Sequence, residues 1–364
     1  MDPIHVFLGT KAQYIKTSPL LRLMDQRGVG YRLIDSGQHA ALTRGLRKEL
    51  GVREPDHVLG GAADITTVPQ ALRWSAGLAG RLGNGQKLRQ EVFGGYGGIC
   101  VVHGDTPSTF LSVLMARRAG LVTAHLEAGL RSRSLLHPFP EELIRLAVMR
   151  WSQVLFAPDD TAVANLEHLK LKGEIVPVGG NSVVEALRRA LPDLPVPGSG
   201  PAVVTMHRVE NLRNKARTDA LVELVVEAAR TQPVRFVVHG PTAETFARRG
   251  IDATLENAGV DVVPLLPHAE FTRAIAAAPW VITDGGSVQE EGALLGVPML
   301  LWRQRTERPD GLDANVVLSS FDPAVARAFL ADPQAHRRSM TDAGRTPSEQ
   351  VLDVLQEKLG VLTR

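Results

Sequence analysis

The stretch ICVVHGDTPSTFLSVLMARRAGLVTAHLEAGLR, running from Ile99 to Arg131, decides the fold. Ile99–His103 is a short apolar run with β-branched residues, residues 109–118 follow a helical pattern, and Val122–Leu126 is a second strand-like run. A strand, a helix and a strand packed into so short a span form a βαβ unit, which implies a parallel sheet. The alternation continues outward. Upstream, residues 5–8 and 31–34 read as strands around an amphipathic stretch at 15–26, and downstream Val154–Ala157 reads as another strand. The rhythm restarts after Gly179-Gly180. Strands are predicted at Ala202–Thr205, Val234–Val238, Asp261–Pro264, 280–282 and 298–301, with helices at 220–230, 270–278 and 289–295. Residues 78–98 and 191–201 are rich in Gly or Pro and read as loops.

Two successive α/β runs predict two Rossmann-like domains facing each other across a cleft. The expected boundaries are 1–179, 180–346, and a C-terminal helix within 347–364 that packs back on the first domain. The paired glycines at 179 and 180 are free of Cβ constraints and suit a hinge. A length of 364 residues is ample for two cores.

Composition narrows the function. Apolar residues make up 44% and charged residues 22%, an ordinary globular balance. The net charge of +2 argues against a nucleic-acid binder, which concentrates basic charge on one face. The single cysteine, Cys100, excludes an intrachain disulfide and suits a reducing compartment. The first ten residues read as a strand start with no basic n-region, and no stretch approaches 18 uninterrupted apolar residues. A cytoplasmic protein with no membrane partner is expected.

In α/β sheets ligands bind at the carboxyl ends of strands, so the residues after each strand carry the chemistry. After the first strand come Gly9-Thr10-Lys11-Ala12-Gln13-Tyr14-Ile15-Lys16, where Thr10 and turn amides can meet an anion and Lys11 and Lys16 add charge. Solvated lysines at a helix start would look the same. His103-Gly104-Asp105-Thr106 and His125-Leu126-Glu127 put two acids at the ends of successive strands, as acid–base chemistry requires. Asp105 could instead be a helix N-cap. Pro140-Glu141-Glu142-Leu143-Ile144-Arg145 opens a helix, with Glu141 and Arg145 four apart on one face; a surface ion pair would also fit.

Farther on, His207-Arg208 follows a strand and can hold a phosphate or orient a proton, or can be plain solvated loop. Asp284-Gly285-Gly286-Ser287 opens a helix that ends its first turn near Gln289-Glu290-Glu291. Free amides there form a diphosphate cradle, unless the turn is merely tight and Ser287 merely a cap. A Glu one turn in can accept from ribose hydroxyls. Arg303, Arg305 and Arg308 crowd one loop, an arrangement that favours phosphate.

These motifs, in this order, resemble the UDP-N-acetylglucosamine 2-epimerase family, and the non-hydrolysing branch more than the hydrolysing one. The resemblance also rests on Gly180-Asn181-Ser182-Val183, Glu210-Asn211 and Thr306-Glu307-Arg308-Pro309, and runs from about Gly9 to Pro309. It implies a GT-B-like fold and inversion of C2 of a UDP-N-acetylhexosamine by elimination and re-addition of UDP. It implies that Asp105, Glu127 and Glu141 do the proton work, that His207 and Gly285, Gly286 and Ser287 hold phosphates, and that Glu291 holds the ribose. Arg145 matches an arginine that helps hold the site, and Gln38 and His39 match a region that binds a second, activating UDP-sugar in bacterial members. It implies a homodimer and needs neither metal nor redox cofactor. The product would feed a polysaccharide or a specialised metabolite.

The departures are specific. Lys11-Ala12-Gln13 stands where the family has Arg-Pro-Glu, Ile144 where it usually has Asn, and Gly285-Gly286-Ser287 where it reads Ser-Gly-Gly. Lys does not replace Arg at a bidentate site. Two other readings share the nucleotide site: a GT-B glycosyltransferase or UDP-sugar hydrolase, and a non-catalytic UDP-sugar sensor. A transferase needs an acceptor groove, while aromatic content is only 5%. A sensor would be expected to lose the three acids, and all three are present.

Overall fold

The computed structural model describes residues 4–61, 64–65, 68–133, 140–180, 182–191, 193–306, 308–340 and 346–362. Among the motif residues, His137, Pro138, Phe139, Asn181 and Glu307 lie outside the described residues. The chain divides into two compact units, Met1–Ala186 with Ala343–Arg364, and Leu187–Asp342. The division falls inside the helix Val183–Ala190, one short step after the glycine pair.

The first unit is built on a parallel sheet of β1 (Ile4–Leu8), β2 (Tyr31–Asp35), β3 (His57–Val58), β4 (Ile99–His103), β5 (Val122–Leu126), β6 (Val154–Ala157) and β7 (Glu174–Pro177). Their order is β3-β2-β1-β4-β5-β6-β7. The central strands are buried along nearly their whole length and mostly apolar because helices cover both faces. Val6 and Val101 face a cluster with Leu21 and Met24 of the helix Lys11–Gln26; Phe7 and Val102 face Leu111 and Met115 of the helix Pro107–Arg118. The helix Pro347–Leu362 joins the first of these clusters, with Leu352 and Leu355 wholly buried. A cavity left by Leu352→Ala would cost about 2–5 kcal/mol.

The second unit repeats the plan with β8 (Ala202–Thr205), β9 (Val234–Val238), β10 (Asp261–Pro264), β11 (Val281–Thr283), β12 (Met299–Leu301) and β13 (Val316–Leu318). The order is β10-β9-β8-β11-β12-β13, all parallel. Each sheet reverses its strand order once, between β1 and β4 and between β8 and β11. In open α/β sheets the crevice at the carboxyl ends of two such strands is the usual ligand site.

One predicted loop is not a loop. Residues 78–98 hold the end of the helix Val68–Gly80 and a further helix, Gly85–Glu91, capped by Asn84, whose side chain accepts from Lys87 N at 3.0 Å. Leu88, Val92 and Phe93 are buried against the sheet, and that burial overrides the glycines. Residues 191 and 193–201 carry neither helix nor strand.

Candidate functional site

At the first switch point, β1 hands the chain to Gly9 and Thr10. Thr10 caps the helix Lys11–Gln26 in a reciprocal box with Gln13, whose Oε1 accepts from Gly9 N at 2.8 Å and Thr10 N at 3.0 Å. Gln13 Nε2 reaches across to the other side, donating to His103 O at 2.7 Å and Thr109 Oγ1 at 2.8 Å. Gln13 therefore ties the ends of β1 and β4 together. Lys11 is partly exposed, whereas Lys16 is buried and forms an ion pair with Glu127.

After β4, Gly104 turns the chain at φ 71° and Asp105 follows. Thr106, not Asp105, caps the next helix. The Asp105 carboxylate instead pairs with Arg145 and keeps 23% of its side chain exposed. After β5, Glu127 sits at φ 61°, in the left-handed region that disfavours any residue with a Cβ. An outlier of that kind, costing on the order of 1–3 kcal/mol, persists where the surroundings enforce it and clusters at functional sites. His125, on β5, feels the charge of both acids. It is fully buried and its Nε2 donates to Gly104 O at 2.8 Å. Burial pushes its pKa down to about 4, against the pull of that carbonyl and of Asp105 and Glu127, so it is neutral at pH 7.

The helix Glu141–Trp151 supplies the third acid and its neighbours. Glu141 is partly exposed at its first position. Glu142 is wholly buried: it accepts from Arg145 at 2.7 Å and Ser132 N at 3.0 Å, and pairs with Arg131. Burial alone would raise its carboxyl pKa. The bonds from Arg131 and Ser132, with the charge of Arg145, lower it below the ordinary glutamate value instead. Arg145 thus bridges Glu142 and Asp105. Beside Lys16, His103 and Glu127 lies a small pocket of about 30 Å³, room for roughly one water. Two acids at the ends of neighbouring strands, each set against a buried cation, have the placement that acid–base chemistry requires.

Gln38 and His39 follow β2. Gly37 before them takes φ 74° and passes so close to Gly60 that a Cβ would sit 2.5 Å from its Cα. His39 precedes the helix Ala40–Leu50, half-buried, and burial lowers its pKa.

In the second unit the anchor is Asp284, wholly buried after β11. It accepts from His207 N at 3.0 Å, Arg208 N at 3.0 Å and Asn211 Nδ2 at 3.0 Å, which fixes the turn after β8. His207 stacks on His239 with centroids 4.8 Å apart, and its Nδ1 lies 3.2 Å from Asp284. Burial lowers the His207 pKa, opposed by Asp284. Gly285 precedes the helix Gly286–Leu294 with no side-chain cap, so Ser287 is not the cap and the first amides point onward. A Cβ at Gly285 would lie 2.7 Å from the His207 ring, so the turn and the ring pack closely here. Glu291 is buried and meets His268 and Thr272. Arg308 pairs with Glu290, and Gln289 holds that loop by donating to Arg308 O and Asp310 O, both at 3.0 Å.

Sequence reading missed Gln13, Glu142, Asp284 and His268 as parts of these sites. Glu142 and Arg145 lie three apart, a spacing that also puts them on one face, and Asp284 follows a strand as Asp105 does. Among the described residues no group of three metal-ligating side chains is present, and no helix is long and apolar enough to cross a membrane.

A family model for UDP-N-acetylglucosamine 2-epimerase matches residues 22–343. The UDP-N-acetylglucosamine 2-epimerase of Methanocaldococcus jannaschii is 26% identical over 89% of this chain and 90% of its own. That of Bacillus subtilis is 32% identical over 66% of both chains. In structure, the M. jannaschii enzyme in complex with UDP-GlcNAc and UDP superposes with a TM-score of 0.83 at 24% identity, covering 98% of this chain and 99% of that one. A family match over residues 22–343, most of its length, makes this chain a member of the UDP-N-acetylglucosamine 2-epimerase family.

Proposed function

We propose that this protein is an isomerase that inverts C2 of UDP-N-acetylglucosamine or a close analogue. A base removes the C2 proton as UDP leaves C1, which gives a glycal. UDP then re-adds at C1 while C2 is reprotonated from the opposite face. Asp105, Glu127 and Glu141 do the proton work, and Arg145 and Lys16 hold the first two carboxylates in place. His207, the amides at Gly285, Gly286 and Ser287, and Arg308 hold the diphosphate, Glu291 the ribose, and Lys11 and Thr10 assist at the first switch point. Gln38 and His39 serve a second UDP-sugar. The protein acts as a cytoplasmic homodimer and needs no metal.

The observation that carries this reading is the pair of acids at the ends of β4 and β5, each matched to a buried cation at a topological switch point. Incubation with UDP-N-acetylglucosamine in deuterated water should place deuterium at C2. Asp105→Asn, Glu127→Gln and Glu141→Gln should each slow that exchange about 100-fold or more while UDP still binds. Consumption of the sugar with C2 unlabelled would replace the epimerase by a transferase or hydrolase.

A further inference from the structure

Glu291 stands on the helix Gly286–Leu294, and its neighbours come from the helix His268–Ala277. His268 Nε2 is 3.2 Å from Oε1, and Thr272 Oγ1 donates to Oε2 at 3.3 Å. His268 and Thr272 also approach each other, at 3.4 Å. All three are buried, Glu291 at 4%, His268 at 5% and Thr272 at 0% exposure. A carboxylate oxygen facing the ring nitrogen makes Nε2 the protonated one. An ionised carboxylate offers about four acceptor sites, of which these two donors take two.

We infer that His268, with Thr272, is a positioning residue that sets the Glu291 carboxylate for a ribose diol and so makes the site select ribonucleotides over 2′-deoxyribonucleotides. The inference rests on the proposed role of Glu291. Both donors come from one side, the neighbouring helix, and together they fix the plane of the carboxylate. A carboxylate held in place meets the two hydroxyls without giving up rotamer freedom on binding. The same rigidity makes a missing hydroxyl expensive, because a buried acceptor cannot swing toward another partner. A mobile carboxylate would bind more weakly and discriminate less.

The test is calorimetric titration of UDP and of 2′-deoxy-UDP into the wild-type protein, His268→Leu, His268→Gln, Thr272→Val and Glu291→Ala. His268→Leu should weaken UDP about 10-fold and shrink the UDP to 2′-deoxy-UDP preference. His268→Gln, which keeps an N–H donor near the same place, should restore most of both. Thr272→Val should move both in the same direction by a smaller factor, and it carries the comparison if His268→Leu fails to fold. A folded His268→Leu or Thr272→Val with wild-type affinity and wild-type preference overturns the inference while Glu291→Ala still weakens UDP. If Glu291→Ala leaves UDP affinity unchanged, the ribose assignment itself falls.

Discussion

Glu142→Gln tests the charge cluster behind Asp105. The substitution keeps the shape of a side chain that is wholly buried and removes its charge. In the native protein the carboxylate is bonded by Arg145, Arg131 and the Ser132 amide. Bonds to a charged group contribute about 1.5–3 kcal/mol each. Arg145 and Ser132 N share Oε2 while Arg131 takes Oε1, so glutamine keeps the first two, turns its NH2 against Arg131, and weakens the retained bonds by removing the acceptor's charge, a loss of roughly 3–5 kcal/mol in all. The general cost of breaking a buried ion pair, about 3–5 kcal/mol, agrees. The pH dependence has a definite sign. The folded pKa of Glu142 lies below its unfolded value, so its stabilisation is fully present above the ordinary glutamate pKa and is lost as pH falls through the lowered folded value. Urea unfolding of the first unit, followed at pH 7 and at lower pH, should show the variant much weaker at pH 7. The gap should narrow as the solution is acidified. A loss under about 1 kcal/mol at pH 7, or a gap that widens in acid, would refute the account of the cluster. Turnover should fall as well, since Arg145 loses the partner that fixes it against Asp105.

Lys16→Met leaves the Glu127 carboxylate buried without its cation. The acid-side inflection of kcat/KM should move to higher pH, and pH-rate profiles check it; an unmoved inflection would separate Glu127 from the proton chemistry. Gly285→Ala drives a Cβ to 2.7 Å from the His207 ring and must displace it. UDP affinity, measured by calorimetry, should drop by about 10-fold or more, with the thermal midpoint little changed because the ring can swing outward.

The central strands were legible because they are apolar on both faces; Ile99 through Val102 could be little else. Of the outer strands, β10 was read with its observed bounds, but those of the first sheet were not. β3 has two residues, and β7 is half-exposed, so neither offers the apolar run that marks a buried strand. The helix Gly85–Glu91 hid among glycines because its anchor is tertiary, Leu88 packed beneath it. At the candidate site, the residues that follow strands could be found by position. Their partners could not: Arg131 and Glu142 are eleven apart, Gln13 and His103 ninety apart, and only the fold brings them together. The hydroxyl shift at Gly285 was visible as a departure, but the closeness of the His207 ring to that turn is a contact between distant residues.

The first unit is made of residues 1–186 and 343–364, with the second unit spliced between them in the chain. Leu352 and Leu355 fill its core beside Leu21 and Met24. A nascent chain therefore emerges from the ribosome with its first sheet complete but its core uncapped, and at ~5–20 residues per second it stays so for roughly 10–30 seconds. The second unit, continuous in sequence, can close first. During that interval the apolar face awaiting the helix Pro347–Leu362 is open to solvent. Slowing translation between residues 187 and 342 would lengthen that exposure and lower the yield of active protein without changing a single residue.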